Sequence, residues 1–263
     1  SYSYTPNGNY SGPDSFTYTV TDAASGESLT QTVSLTVNPI SDTPTLAASA
    51  VSGNEDSPIA LNIASALTDT DGSETLSIRL DNIPVGAVLS NTAGDILTIS
   101  GGSIVLTPDQ LAGLAITPPA NSHDTFNLNV TAIAVDGSAA PASTATTLAV
   151  TVNPVTDLSA ANDSASTDED VPVINASVAG NDSTTSGGSL TYALASGVSN
   201  GTLTFNANGS YSYTPNGNYS GPDSFTYTVT DAASGESLTQ TVSLTVNPIS
   251  DTPTLAASAV SGN

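Results

Sequence analysis

The sequence predicts an all-β chain of tandem β-sandwich domains, and three observations carry that prediction. Ser1 to Asn54 reads identically to Ser210 to Asn263, an offset of 209 residues in a chain of 263, so the chain is built from repeats. Apolar residues alternate with Ser and Thr along most of its length, the period that gives a strand one buried and one wet face. Asn-Gly, Asp-Gly and Pro fall between the alternating runs, where tight turns need them.

Two strand-like passages end domains: Thr147 to Pro154 followed by Asp157, and Thr239 to Pro248 followed by Asp251. They divide one period into residues 42–156 and 157–250, of 115 and 94 residues, both lengths that suit a sandwich. Residues 1–41 then read as the C-terminal part of a shorter-type sandwich, and residues 251–263 as the start of the next longer-type one. In the longer domain the apolar rows are Leu76, Ile78 and Leu80; Phe126, Leu128 and Val130; and Leu148, Val150 and Val152. Arg79 alternates with Ile78 and Leu80 and is expected to point outward. Thr107 to Gly113 is the one helix-like stretch, of about one or two turns. In the shorter domain Phe225, Tyr227 and Val229 face inward, as do Val242, Leu244 and Val246. Asn200-Gly201, Asn208-Gly209 and Asn216-Gly217 are expected to supply the positive φ of tight hairpins. Tyr211, Tyr213 and Tyr219, with their copies Tyr2, Tyr4 and Tyr10, are expected to pack the sandwich edge rather than to stack on sugars.

Composition restricts function. The chain carries 24 acidic residues against one Arg and no Lys, a formal charge of -23 with 10% charged residues. Nucleic acid and anionic membrane surfaces need basic residues, so both are excluded as partners. The absence of Cys removes disulfides, thiolate zinc sites and thiol nucleophiles. No apolar run approaches the roughly 20 residues of a membrane span, and no secretory leader is visible. With 5% aromatics and no Trp or Met, large ligand pockets are not expected. The single histidine, His123, lies in Asn121-Ser-His-Asp124 without a nucleophile elbow, so no enzyme is expected.

The acids cluster at turns and domain ends: Asp42, Glu55-Asp56, Asp69-Thr-Asp71-Gly72-Ser-Glu74 and Asp136-Gly137 in the longer domain; Asp157, Asp168-Glu169-Asp170, Asp182, Asp223 and Asp231 in the shorter. Hard cations such as Ca²⁺ take roughly six to eight oxygens from carboxylates and carbonyls. No EF-hand loop or glycine-rich nonapeptide repeat is present, so a calcium site must be assembled from separate loops. Converging several carboxylates without a cation costs about 1 kcal/mol per close pair in water, and more when desolvated.

These residues carry a resemblance. The string Asp42-x-Pro44, Asn54-Glu55, Asp69-x-Asp71-x-x-Glu74 and Ala134-x-Asp136-Gly137 resembles a cadherin repeat. The shorter domain, with Asn162-Asp163, Asp168-Glu169-Asp170, Asn208 to Pro215 and Asp223 to Asp231, is similar to the cadherin-like, VCBS-type tandem repeats of giant bacterial RTX adhesins. The resemblance implies Ig-like or cadherin-like sandwiches arranged end to end, with Ca²⁺ at each junction. It implies an extender region of an extracellular bacterial surface adhesin, projecting a distal binding domain for cell adhesion or biofilm formation.

Carried over residue by residue, the resemblance gives the junction near Pro39 the ligands Asp14, Asp42, Asp69, Asp71 and Asp136. The junction near Pro154 takes Glu55, Asp56, Asp124, Asp157, Asp182 and Asp231. The junction near Pro248 takes Glu169, Asp170, Asp223 and Asp251. The linkers read Asp-Thr-Pro and Asp-Leu-Ser in place of the cadherin Asp-x-Asn-Asp-Asn, so one or two ions per junction are expected. The partners are then calcium and adjacent repeats of the same chain, with neighbouring chains in a fibre as a further possibility. The competing reading is an interaction module or filament subunit, which pairs with neighbouring chains or binds glycan.

Overall fold

The computed structural model describes residues 1–252 and 255 and divides into two compact units, Ser1–Val155 and Thr156 onward. The expected start of a further repeat at 251–263 lies outside the described residues apart from Asp251, Thr252 and Leu255. The fold is all-β, as tandem sandwiches, with one single-turn 3₁₀ helix at Pro108–Leu111 inside the stretch expected to be helical.

The first unit opens with a hairpin, Gly12–Thr21 against Ser28–Val37, that forms a two-stranded sheet by itself. The longer sandwich follows. Its main sheet runs in the order Val51–Asn54, Ala142–Asn153, Phe126–Asp136, Glu74–Asp81 and Ile104–Leu106. Ile59–Ala60, Ala115–Thr117 and Val88–Ser90 form a second sheet, and Thr45–Ala48 pairs with Ile63–Ala66. The alternating rows meet in the middle: Ile78, Leu80, Leu128, Val130, Leu148 and Val150 are fully buried beside Leu106, Leu114 and Ile116. Leu76 and Phe126, at the ends of their rows, are half-buried. Arg79 points outward and pairs with Asp81 at 2.8 Å.

The second unit repeats the plan with fewer residues. One sheet runs Asp163–Asp168, Ser237–Asn247, Gly221–Asp231 and Leu190–Ser196; the other runs Val173–Ser177, Ser210–Pro215 and Gly201–Phe205. Its core is aromatic: Phe225, Tyr227, Tyr211 and Tyr213 are buried with Val229, Val242, Leu244 and Val246. Tyr211 meets Phe225 edge-on at 5.0 Å, an arrangement aromatic quadrupoles favour. Tyr211 and Tyr213 are therefore packing residues, and the Tyr213 hydroxyl donates to Asp223 at 3.1 Å.

In both units the first strand of the main sheet pairs in parallel with the last, Val51–Asn54 with Val150 to Asn153 and Asp163–Asp168 with Val242 to Asn247. This brings each domain's early acidic loop beside its outgoing linker. The turn chemistry departs from expectation in two places. Asn208-Gly209 is a hairpin turn, with Gly209 at φ 81°. Gly201 instead begins a strand, where a side chain would collide with the Tyr213 ring, and in the Asn216 turn the positive φ falls on Asn218, at 54°. Asn tolerates that conformation through its short polar side chain, so Gly217 is not needed for it.

Candidate metal centre

Among the described residues seven carboxylates are buried: Glu55, Asp69, Glu74, Asp136, Asp157, Glu169 and Asp231. The sole arginine is engaged with Asp81, and His123, exposed, stands 3.8 Å from Glu55. Buried charge without a counter-ion is costly unless hydrogen bonds or a metal satisfy it.

Strand periodicity places several of them. Glu74 has the parity of Leu76, Ile78 and Leu80, and Asp136 that of Val130, Ala132 and Ala134, so each inward row of the longer sandwich ends in an acid. The antiparallel register sets Asp136 directly opposite Glu74. Like charges in that relation repel across a Cβ separation of about 5 Å. One Glu74 oxygen accepts from the Asp42 backbone N–H, and its other oxygen is buried without a hydrogen-bond partner. Asp69 accepts from Asp71 N–H at 2.9 Å, and Asp71 from Ser73 N–H at 2.8 Å, two Asx turns that fold the loop back on itself. Asp42, Asp69 and Asp136 line a cleft of about 290 Å³ together with Asn7, Asn9 and Tyr10 of the preceding segment.

The opposite ends of the two sandwiches share a second arrangement, repeated bond for bond. Glu55 N–H donates to the Asn153 carbonyl at 3.0 Å, and a Glu55 carboxylate oxygen accepts from Val155 N–H at 2.7 Å. Glu169 N–H donates to Asn247 at 2.9 Å, and its carboxylate accepts from Ile249 N–H. Asp56 (φ 55°) accepts from Asn121 N–H at 2.8 Å, and Asp170 (φ 64°) accepts from Asn218 N–H at 3.0 Å. Each Glu-Asp pair thus clasps the residue after the linker proline and the neighbouring loop.

At the leading end of the second unit, Asp231 closes the inward row of Phe225, Tyr227 and Val229. Hydrogen bonds from the Ser186 and Thr184 hydroxyls hold its carboxyl far below the usual carboxylate range, with further help from Ala233 N–H and Ser234. Glu236 accepts from the N–H groups of Asp157 and Leu158 at 2.8 and 2.7 Å. Asp157 accepts from Thr185 at 2.6 Å through one oxygen, while its other oxygen is buried without a partner. Asp182 is placed with Asp163: the Tyr227 hydroxyl reaches Asp163 at 2.9 Å and Asp182 at 3.5 Å. Burial is the leading cause that raises both carboxyls, and for Asp182 the Asp163 charge adds to it.

The expected ligands therefore divide. Asp42, Asp69 and Asp136 share one cleft with Glu74 beside them, and Asp71 lies on the adjoining loop. Asp14 lines a neighbouring surface with Tyr4 and Tyr10 and accepts from the Tyr4 hydroxyl at 2.7 Å. Its copy Asp223 accepts from Ser199 and Asn200 N–H at 3.0 and 2.8 Å, so this position anchors a loop. Asp124 and Asp251 are exposed. Glu55, Asp56 and Asp124 lie in the first unit; Asp157, Asp182 and Asp231 lie in the second. Among the described residues no group of three or more Asp, Glu or His side chains is arranged to hold a metal ion.

Sequence reasoning passed over Glu74, Glu236 and Asp163 as site residues. Glu74 was legible from its parity with Leu76. Glu236 was legible from the Asp231-Ala-Ala-Ser-Gly-Glu236 loop, repeated as Asp22 to Glu27. Hard oxygen donors and orphaned oxygens on Glu74 and Asp157 suit a calcium ion in their chemistry, although among the described residues the side chains are not gathered into a coordination shell.

Two family models agree with this architecture. Residues 153–248 match the model of a bacterial cadherin-like domain, and residues 1–36 match that of a bacterial Ig domain. No curated protein matches the chain. Among solved structures, an endo-fucoidan hydrolase of glycoside hydrolase family 107 is 17% identical at a TM-score of 0.28, over 93% of this chain and 35% of that one. The protocadherin gamma B4 extracellular domain is 15% identical at 0.31, over 89% and 38%. Drosophila N-cadherin EC1-3 is 13% identical at 0.32, over 84% and 74%. The chain spans about a third of the length of the hydrolase structures.

Proposed function

We propose, for a chain built of cadherin-like repeats, that it is a structural extender of an extracellular bacterial adhesin whose domain ends bind calcium. The observation that carries this reading is the set of seven buried carboxylates, none paired with the sole arginine and two with an oxygen left unsatisfied. The finer division into 1–41, 42–156, 157–250 and 251–263 belongs to the same proposal, as does a role in cell adhesion or biofilm.

Calcium, when bound, supplies positive charge and a shell of roughly six to eight oxygen positions. Asp42, Asp69, Asp71, Glu74 and Asp136 would hold it at the start of the longer sandwich, and Asp157, Asp231 and Glu236 at the start of the shorter. The residues do the rest. Glu74 and Asp136 bring two like negative charges face to face at one strand end, and Asp42 delivers linker backbone to the same place through its bond to Glu74. The Glu55–Asp56 and Glu169–Asp170 clasps hold the outgoing linkers against the domain body by hydrogen bonds alone. Extracellular modules bind calcium at about 10⁻⁴ to 10⁻³ M, so such sites fill outside a cell and stay empty in cytosol.

No catalytic reading is supported by a comparable observation, since His123 is exposed and faces Glu55 without a nucleophile between them. Among the described residues no helix is long and apolar enough to cross a membrane.

Small-angle scattering of a fragment with several complete periods, in calcium and after chelation, tests the proposal. A rod that becomes flexible on chelation is expected. An unchanged profile with no calcium uptake would overturn it.

A further inference from the structure

The chain holds the pairs Asn7-Gly8, Asn200-Gly201, Asn208-Gly209 and Asn216-Gly217. Asn is a thermolabile side chain, and a following Gly leaves the backbone nitrogen that can attack its amide without a neighbouring Cβ to shield it. Ring closure needs the amide carbon free, the Gly N–H free and the intervening peptide free to turn. The structure sorts the pairs by those conditions.

Two pairs are locked. The Asn208 Oδ1 accepts from Ser210 N–H at 3.0 Å and from the Ser210 hydroxyl at 2.7 Å, while Gly209 is buried and its N–H donates to the Asn206 carbonyl at 3.0 Å. The Asn200 carbonyl accepts from Asn216 N–H at 2.9 Å and from the Tyr213 hydroxyl at 3.3 Å, its N–H donates to Asp223, and Gly201 lies against the Tyr213 ring.

The other two are open. Among the described residues neither the Asn216 side-chain amide nor the Gly217 N–H has a hydrogen-bond partner, both residues are exposed, and one bond, from Tyr219 N–H to the Asn216 carbonyl at 3.0 Å, restrains the peptide between them. Asn7-Gly8 repeats this, with Tyr10 N–H to the Asn7 carbonyl at 3.3 Å. Each copy supplies the surroundings the other lacks. Asn216 belongs to the complete shorter sandwich, and Asn7 precedes the complete longer sandwich and is still exposed. The openness is a property of the turn itself.

We infer that Asn216 and Asn7 are sites of enzyme-independent deamidation, with water as the co-reactant. The Gly217 nitrogen attacks the Asn216 Cγ; the N–Cγ bond forms, the Cγ–Nδ2 bond breaks, and the Gly217 amide proton leaves with Nδ2 as ammonia. Water then opens the cyclic imide at either carbonyl, giving Asp or an isoaspartyl link with an extra carbon in the main chain. Each event adds a negative charge where carboxylates already stand. Asn7 borders the cleft lined by Asp42, Asp69 and Asp136. The Asp170 carboxylate stands beside Gly217 and accepts from Asn218 N–H at 3.0 Å, so the Asn216 product sets a like charge next to that bond. The inference concerns amide chemistry and does not rest on calcium.

The test ages the full chain in mildly alkaline buffer made with heavy-oxygen water, folded and in urea, and follows each Asn by peptide mass mapping. Because the sequences around Asn7 and Asn216 are identical, the variants Asn7→Gln and Asn216→Gln read one copy each. Each hydrogen bond that must open first slows closure by roughly fivefold, so in the folded chain Asn216 and Asn7 should react at least about tenfold faster than Asn208 and Asn200, with heavy oxygen gained at each event. In urea all the pairs should react at similar rates. Gly217→Ala, whose Cβ meets only Asp170 at 3.9 Å, should suppress the reaction at Asn216 in the folded chain. Folded-state rates at Asn216 and Asn7 no greater than those at Asn208 and Asn200 overturn the inference, as does modification without uptake of heavy oxygen.

Discussion

Replacing Glu74 with Gln separates two things its carboxylate does. It accepts a hydrogen bond from Asp42 N–H, which the Gln carbonyl can still accept, and it sets a negative charge opposite Asp136 on the buried face. If the carboxylates stand as far apart as opposed Cβ atoms, about 5 Å, they repel by about 3 kcal/mol at an effective dielectric constant near 20. Solvent at the sandwich end screens part of this, so E74Q should stabilise the metal-free chain by about 1–3 kcal/mol. Calcium reverses the sign. Metal at about ten times its Kd stabilises the wild-type site by about 1.4 kcal/mol, and E74Q forfeits much of that. Urea unfolding followed by tyrosine fluorescence, in chelator and in millimolar calcium, reads both arms. E74Q should be the more stable protein in chelator and should gain less from calcium. A variant less stable than wild type in chelator would show that Glu74 is only a hydrogen-bond acceptor and refute the charge argument.

Other expectations follow from the same geometry. Asp56→Ala and Asp170→Ala each lose an acceptor and force Ala into positive φ, which should cost about 1–3 kcal/mol by chemical denaturation, while the Asn variants, tolerant of that backbone, should cost less than half as much. Tyr227→Phe removes the hydroxyl that donates to Asp163 in the aromatic core and should cost about 1–2 kcal/mol in the same assay. The folded-state carboxyls of Asp163 and Asp182 are raised above 3.8, so the native state binds more protons there. Their contribution is fully present below about pH 3.8 and is lost as pH rises through the raised values; Asp182→Asn should flatten that slope in unfolding measured across pH. Asp231 acts oppositely: its lowered carboxyl contributes stability above its ordinary value that is lost as pH falls, and Asp231→Asn should reduce the acid sensitivity of the second unit.

The fold was legible because the period of two is strict: the rows through Ile78, Leu128, Val150, Phe225 and Val242 could face only one way, and all are buried. Turn assignment was weaker because positive φ can be taken by Asn as well as Gly, so the Asn216 turn placed it on Asn218 and left Gly201 to make room for Tyr213. The carboxylates were legible as a class and by domain end. Their partners were not, because those depend on which N–H groups the folded loops present. Asp182 joined Asp163 around a tyrosine hydroxyl, Asp14 took the Tyr4 hydroxyl and Asp223 became a loop anchor, through contacts with no fixed spacing in the chain.

The central claim is that the carboxylates at the start of each sandwich, Glu74 and Asp157 with one unsatisfied oxygen each among them, are calcium ligands, and isothermal titration of calcium into the chelator-stripped chain tests it most directly. The account predicts saturable uptake at submillimolar to millimolar calcium, reduced by Asp69→Asn and Glu74→Gln in the first unit. Absence of uptake up to about 10 mM, ten times the upper end of that range, would contradict it.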